Sequence, residues 1–259
     1  VNKKIFLLTI LAIWLTTSTT HARIFIDDTA QNKKPLKPYR KFFVGNALDG
    51  VIVSSALIKK TVTMQSPPVT NTTNDMGIAR LTAFLNTGLT FNWNLARHFG
   101  IWTGIDVKNI GFIEKNAGGE TVKRRTYNLG VPFGIKIGNM VDKNPYLFLG
   151  GGADAPFNYR EKTFVIRDQK AKFSEWFSQR TPSIMPYVFA GFSVSDGITL
   201  KFQYYPGNFL NTGFTYAGTH PYTGYNVNIF FATIGYAVPL KKQKDSVELL
   251  EYQLKTNKL

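Results

Sequence analysis

The chain has 259 residues, with 31 Lys and Arg against 16 Asp and Glu, a formal charge of +15, 44% hydrophobic and 14% aromatic residues, and no cysteine. The missing thiol excludes a disulfide scaffold, a thiolate zinc site and a cysteine nucleophile. The 21 Phe and 12 Tyr exclude a disordered chain, which lacks the apolar surface needed to offset its conformational entropy.

Lys3 and Lys4 precede an apolar run over residues 5–15, and Thr20, His21 and Ala22 end on a small residue. This pattern predicts a secretory signal peptide over residues 1–22, cleaved after Ala22. The run is shorter than the roughly 20 residues of a spanning helix. Residues 23–40, basic and carrying Pro35 and Pro38, read as an extended periplasmic lead-in. Downstream there is no apolar stretch long enough for a spanning helix, which leaves a soluble exported protein or a membrane β-barrel.

Periodicity favours the barrel. Between residues 79 and 93, Leu81, Ala83, Leu85, Leu89, Phe91 and Trp93 alternate with Arg80, Thr82, Asn86, Gly88, Thr90 and Asn92. This is the period-two pattern of a strand, over a length well beyond the usual five or six residues or so. Leu129, Val131, Phe133, Ile135 and Ile137 alternate with Asn128, Gly130, Pro132, Gly134 and Lys136, and Leu147, Leu149, Ala153 and Ala155 with Phe148, Gly150, Gly152 and Asp154. Further strands are expected at residues 41–58, 100–113, 185–194, 198–205 and 225–238, for eight in all. Pro132 removes a ladder donor, so a bulge or a lumen water is expected there. In the last strand, Val227, Ile229 and Phe231 suggest one outward set and Phe230, Ile234 and Tyr236 the other, which a bulge near residues 232–235 would reconcile.

Connection lengths alternate as well. Residues 94–99, 139–144 and 195–197 are short turns, whereas 59–76, 114–123, 158–184 and 207–224 are longer polar links. Short turns on one rim, long loops on the other and an even strand number describe an outer-membrane barrel with both termini on the periplasmic side. The mean hydropathy of −0.11 fits, since averaging over two opposite faces hides the apolar one. The fold class expected is therefore all-β, an eight-stranded antiparallel up-and-down transmembrane barrel over residues 41–238. A tail over residues 239–259 follows, either solvated or a short amphipathic helix. Residues 169–179 are expected to form another short helix, inside the third long link. Trp93, Trp102, Tyr127, Tyr146 and Tyr236 fit either an interfacial girdle or a filled lumen.

The segments NLARHFGIWTG (residues 94–104), YNLGVPFGIK (127–136) and YLFLGGG (146–152) resemble the small outer-membrane β-barrel proteins common in Bacteroidetes, the PorT-like relatives of the OmpA and OmpX barrels. The likeness spans about residues 41–238. It implies the barrel fold and outer-membrane location, brings no shared catalytic set, and suggests a subunit of an envelope export or transport assembly as an alternative role.

An eight-stranded barrel is just wide enough for side chains to fill. The facing pattern sends Arg80, Lys108, Lys136 and Lys201 inward with Asp106, Asp154 and Gln203. Such charges need partners or water, so a plugged lumen is expected in preference to a narrow anion-preferring pore. Trp176, Tyr216, His220 and Tyr222 fall in the long links and suit extracellular contacts. A lipid A-modifying enzyme would need a His and Ser pair near the outer leaflet. His98 is expected in a periplasmic turn, and His220 sits among Tyr, Thr and Gly, so no catalysis, metal or cofactor is expected. A lipocalin-like carrier would need the opposite facing pattern. The basic charge is expected to meet the phosphates of lipopolysaccharide and other outer-membrane lipid, not nucleic acid. The barrel is expected to be monomeric, with envelope proteins as possible partners.

Overall fold

The computed structural model describes residues 39–65, 68–116, 119–141, 145–164, 170–194 and 197–239. The expected signal peptide, residues 23–38 of the lead-in and residues 240–259 of the tail lie outside them. Ten strands follow one another: β1 (Phe42–Gln65), β2 (Pro68–Met76), β3 (Arg80–Ala96), β4 (Phe99–Lys115), β5 (Thr121–Gly138), β6 (Tyr146–Phe164), β7 (Lys170–Trp176), β8 (Met185–Ser193), β9 (Ile198–Tyr204) and β10 (Tyr225–Pro239).

Every ladder is antiparallel, and the path β1-β3-β4-β5-β6-β8-β9-β10 closes on itself through β10 and β1, paired from Gly45↔Pro239 to Lys60↔Tyr225. The ring is an eight-staved, up-and-down barrel. The two remaining strands extend staves. β2 pairs with β1 from Leu57↔Met76 to Gln65↔Pro68, directly beyond the point where β3 stops pairing at Ser54↔Arg80. β7 likewise pairs with β6 beyond β8. Thus β2 with β3, and β7 with β8, are interrupted single staves. The first interruption, residues 77–79, is held where Ser55 Oγ donates to the Gly77 carbonyl at 2.7 Å and the Ile78 amide to the Ile113 carbonyl at 2.8 Å.

This arrangement corrects the expected loops. Residues 59–65 and 68–76 pair as a β-arm, 114–115 and 121–123 belong to β4 and β5, and within 158–184 residues 158–164 of β6 pair with β7. The helix expected over 169–179 is strand β7: a helix shorter than about 12 residues is marginal alone, whereas the edge of β6 offers a ladder from Asn158↔Trp176 to Phe164↔Lys170. Of the four long links, the one after β9 remains a loop.

Inside and outside follow the expected alternation. On β5, Leu129, Val131, Phe133 and Ile137 are exposed while Asn128, Gly130, Pro132, Gly134 and Lys136 are buried. In β1 the parity switches, with Leu48 outward before Gly50 and Val53 and Leu57 outward after it. The register shifts between Asp49 and Val51 against both neighbours, as a bulge requires. The irregularity expected at residues 232–235 therefore lies on the partner strand. β10 itself alternates cleanly, with Val227, Ile229 and Phe231 inward and Ile234 and Tyr236 outward. Its inward apolar residues misled the periodicity because the upper lumen is itself apolar.

No bulge accommodates Pro132. The β4–β5 ladder runs to Thr103↔Phe133, skips two residues and resumes in the same register at Asp106↔Gly130. The Thr103 hydroxyl donates to the Pro132 carbonyl at 2.7 Å, so the gap leaves that acceptor satisfied. The aromatic belt divides: Trp93 and Tyr236 are exposed on the outer face, whereas Trp102 packs inside with Phe148 and Phe189.

Ring closure is directly testable, because Leu48 and Tyr236 are opposed across the β1–β10 seam and both face outward. Opposed residues have Cβ atoms about 4.5–5.5 Å apart, and the native chain has no competing cysteine. Leu48→Cys with Tyr236→Cys should therefore crosslink within one chain on mild oxidation. Leu48→Cys with Ala237→Cys, one register step away, should crosslink far more weakly; equal yields would contradict the seam.

Candidate functional site

The lumen is the first candidate, and it is filled in layers. Nearest the short-turn rim, Lys136 Nζ donates to Asn94 Oδ1 at 2.9 Å and Asn92 Oδ1 at 3.2 Å. It also lies 5.1 Å from the centre of the Phe43 ring. Next, Lys201 Nζ meets Asp49 Oδ2 at 2.9 Å, and Thr233 Oγ1 donates to the other carboxylate oxygen at 3.4 Å. At mid-height Lys108 Nζ lies 2.9 Å from Asp154 Oδ1 and 3.2 Å from Asp106 Oδ1, over the face of Tyr187 at 3.8 Å. The Tyr205 hydroxyl donates to the second Asp154 oxygen and accepts from Gln203 Nε2 at 2.8 Å.

Above these polar layers the interior becomes apolar. Ile52, Ala56, Ile110, Phe112, Val227, Ile229 and Phe231 are at most 2% exposed. The loop after β9 turns into the mouth: the Phe209 amide donates to the Val227 carbonyl at 2.8 Å, and the Phe209 ring meets Phe112 edge-on at 5.6 Å. Asn208 fixes this turn, its Oδ1 accepting from the Leu210 and Val227 amides at 3.1 and 2.9 Å. Phe209 and Leu210, 2% and 1% exposed, cap the barrel. A further polar layer lies near the far rim, where Arg124 joins Glu114 and Glu161 and the Tyr159 hydroxyl donates to Glu161 at 2.6 Å. Burial and the adjoining Glu161 carboxylate push that hydroxyl well above the usual tyrosine range.

Rings and glycines interlock through the lower lumen. A Cβ on Gly134 would strike the Trp102 indole nitrogen at 2.6 Å, and one on Gly150 the Phe189 ring at 2.7 Å. Gly152 similarly makes room for the Tyr187 hydroxyl. Gly150 and Gly152 are thus the complement of an aromatic column; the inward spacing of Phe148, Tyr187 and Phe189 was its available signal. One void of about 40 Å³ is lined by Asp49, Asn86, Trp102, Asp106, Lys108 and Lys201. At roughly 10–15 Å³ to hold one water, this void admits a few waters.

The sequence-derived lumen residues fall into three groups. Asp106, Lys108, Asp154 and Gln203 meet in one network through Tyr205, which sequence reasoning placed at a strand end without a role. Lys201 pairs with Asp49, also missed, because the bulge at Gly50 hides its facing. Lys136 bonds only to asparagines, and Arg80, 2% exposed, reaches Asn109 Oδ1 at 2.7 Å, away from the carboxylates.

The far rim is the second candidate. Trp176 is 66% exposed and stacks on Phe157 at 5.9 Å. Tyr216 and His220 are exposed. His220 Nδ1 lies 3.3 Å from both Thr215 Oγ1 and the Phe214 carbonyl. Tyr222 corrects the expected contact set: it is 5% exposed, stacked on Phe214 at 5.9 Å, and its hydroxyl accepts from Arg180 Nη1 at 3.1 Å. It braces the loop from beneath. His98 occupies the turn between β3 and β4 at the opposite rim.

No family model and no curated protein matches the chain. Solved structures to which it is similar include Ail, the attachment invasion locus protein of Yersinia pestis, at 13% identity and a TM-score of 0.30, covering 75% of this chain and 99% of that one. Neisserial surface protein A aligns at 10% identity and 0.37, covering 79% and 100%. The N-terminal β-barrel domain of Pseudomonas aeruginosa OprF aligns at 8% and 0.27, covering 74% and 99%. The barrel described here rests on its own closed ladder.

Lys108 is the cation on which the central layer depends. Lys108→Met leaves two carboxylates facing one another in the interior, and removing one partner of a buried charge group costs about 3–5 kcal/mol. The urea midpoint of the folded, fast-migrating gel form should fall accordingly. Lys108→Met combined with Asp154→Leu should recover part of the loss; a single variant as stable as the parent would contradict the network.

Proposed function

We propose that this chain is an integral outer-membrane β-barrel with a sealed lumen, serving envelope structure and surface binding without chemistry of its own. The observation that carries the reading is the inside-out distribution of side chains. Lys108, Asp154 and Gln203 are at most 2% exposed, while Val131, Phe133, Leu147, Leu149, Val188 and Phe202 are 47–59% exposed. Soluble monomers rarely expose contiguous apolar patches beyond a few hundred Å² or so, and here the apolar outer face runs around the staves. Hydrocarbon in place of water removes that cost.

Strand length supports the same reading. A transmembrane strand needs about 9–11 residues, and β1 has 24, β5 18 and β6 19. The surplus lies beyond the apolar zone and is polar outside: Lys59, Thr63, Thr72, Asn74, Arg160 and Lys172 are exposed. Among the described residues no helix is long and apolar enough to cross a membrane. With the short turns in the periplasm, the β1–β2 and β6–β7 arms form a stiff extracellular collar. At this rim Trp176 and Phe177 at the end of β7, Ile184 before β8 and Tyr216 in the loop after β9 are each more than 60% exposed, and the aromatic ones among them supply contact area at low entropic cost.

The filled lumen speaks against a pore, and Lys108 and Lys201 are each paired with aspartate, which leaves Arg80 and Lys136, held by asparagines, as the lumen cations without a carboxylate among the described residues. A role as a subunit of an export assembly follows from the PorT-like resemblance alone, and co-purification of envelope proteins with the intact chain is its test.

Val131→Arg separates lipid from water on the outer face. A cation at the bilayer midplane of a barrel costs about 2–4 kcal/mol, whereas an exposed substitution in water stays within about 0.5 kcal/mol; we expect the larger penalty. In planar bilayers the purified protein should give no steady conductance, and an open-channel level would contradict the seal. On intact cells an impermeant maleimide should label Tyr216→Cys but reach His98→Cys only after permeabilisation.

A further inference from the structure

Outside the barrel, above the apolar zone, the β5–β6–β7 face changes character in two steps. Climbing β5, Leu129 gives way to Tyr127 and then to Arg125 and Lys123. Climbing β6, Ala153 and Ala155 give way to Phe157 and then to Arg160 and Lys162. The aromatic step is continuous: Tyr127 lies 6.4 Å from Phe157, and Phe157 stacks on Trp176 of β7 at 5.9 Å.

The basic step is built from like charges placed directly opposite one another. Arg125 faces Arg160, and Lys123 faces Lys162, which in turn faces Lys172. Opposed like charges destabilise a sheet, and among the described residues no carboxylate pairs with any of these five. Glu161, the acidic residue in this stretch of β6, turns the other way to Arg124 and Tyr159. The guanidiniums of Arg125 and Arg160 both lie over the Tyr127 ring, at 5.7 and 5.5 Å, and Arg160 Nε donates to Ser174 Oγ at 3.3 Å. They are held side by side. Burial first, and then the cations of Arg80, Arg125 and Lys162, lower the Lys123 pKa from its ordinary value; an anion at this face offsets the opposed like charges of the ladder.

We propose that this face is a binding site for the phosphorylated headgroup of an outer-leaflet glycolipid, its phosphates on Arg125, Arg160 and Lys162 and its acyl chains against the apolar face below Tyr127 and Phe157. The proposal rests on the outer-membrane reading and the orientation given above. The stacking order selects a lipid over a soluble anion: the cations stand at the height where a headgroup meets water, an aromatic rim lies beneath them, and a hydrocarbon-compatible wall follows. Five cations over three neighbouring strands also match more than one phosphate, and juxtamembrane cations each strengthen binding to anionic lipid.

The test uses the full chain in dodecyl maltoside micelles, with native mass spectrometry reading retained lipid. Bisphosphorylated lipid A should remain bound as a 1:1 adduct, and the same lipid with both phosphates removed should bind about tenfold or more weakly. Arg125→Ser/Arg160→Ser/Lys162→Ser should weaken the phosphorylated lipid by on the order of 100-fold while keeping heat-modifiable gel mobility. Arg160→Ser alone gives a smaller loss in the same direction should the triple variant not fold. Equal binding of the dephosphorylated lipid, an unchanged adduct in the variants, or displacement by inorganic phosphate at equal phosphorus concentration would each overturn the site. These outcomes leave the barrel intact, whereas a missing Val131→Arg penalty would remove the membrane reading itself.

Discussion

Backbone hydrogen bonding, in the membrane setting proposed above, is the constraint that the rest of this structure obeys. An unpaired amide or carbonyl in hydrocarbon costs several kcal/mol or so, so a spanning sheet has to have no edge. The β1–β10 ladder removes the edge, and the bulge at Gly50 lets β1 keep pairing on both sides while its outward set changes parity. Where the ladder fails locally, at Pro132 and at residues 77–79, a hydroxyl replaces the lost partner: Thr103 at the first, Ser55 at the second.

Closure with eight staves then dictates the interior. The barrel is too narrow to stay open and too polar below to pack like a soluble core, so it is filled by ion pairs, by cations held on asparagines and by rings set against glycines. Lys108 with Asp106 and Asp154, and Lys201 with Asp49, bring their counter-ions with them, as buried charges require. The apolar upper layer and the inserted Phe209 and Leu210 close the mouth. The binding roles proposed above accordingly lie outside the lumen, at the aromatic residues of the far rim and on the cationic face of β5, β6 and β7.

Much of this was legible in the sequence. The period-two runs on β3, β5 and β6, the short turns and the even stave number specify the barrel, since each follows from local spacing. The inward set Lys108, Asp154 and Gln203 was legible for the same reason. Three things were not. Polar strand extensions such as β2 and β7 look like loops, because beyond the apolar outer zone the residues are mostly polar and alternation carries little signal. The Asp49–Lys201 pair was hidden by a bulge that periodicity cannot see. Tyr222 looked like a surface contact because its loop is rich in Tyr, Thr and Gly, whereas Arg180 draws its hydroxyl inward.

The central claim is that lipid covers the outward set of the ring up to Tyr127 and Phe157, and water covers it above. A nitroxide scan along residues 121–137 of β5 in phospholipid vesicles, read by power saturation with oxygen and with a water-soluble nickel chelate, addresses that claim residue by residue. The account predicts oxygen-accessible, nickel-protected labels at positions 129, 131, 133, 135 and 137, low access to both reagents at the even positions between them, and a switch to nickel access at 125 and 123. Nickel access at 131 and 133 equal to that at 123 would place the apolar face in water and contradict it.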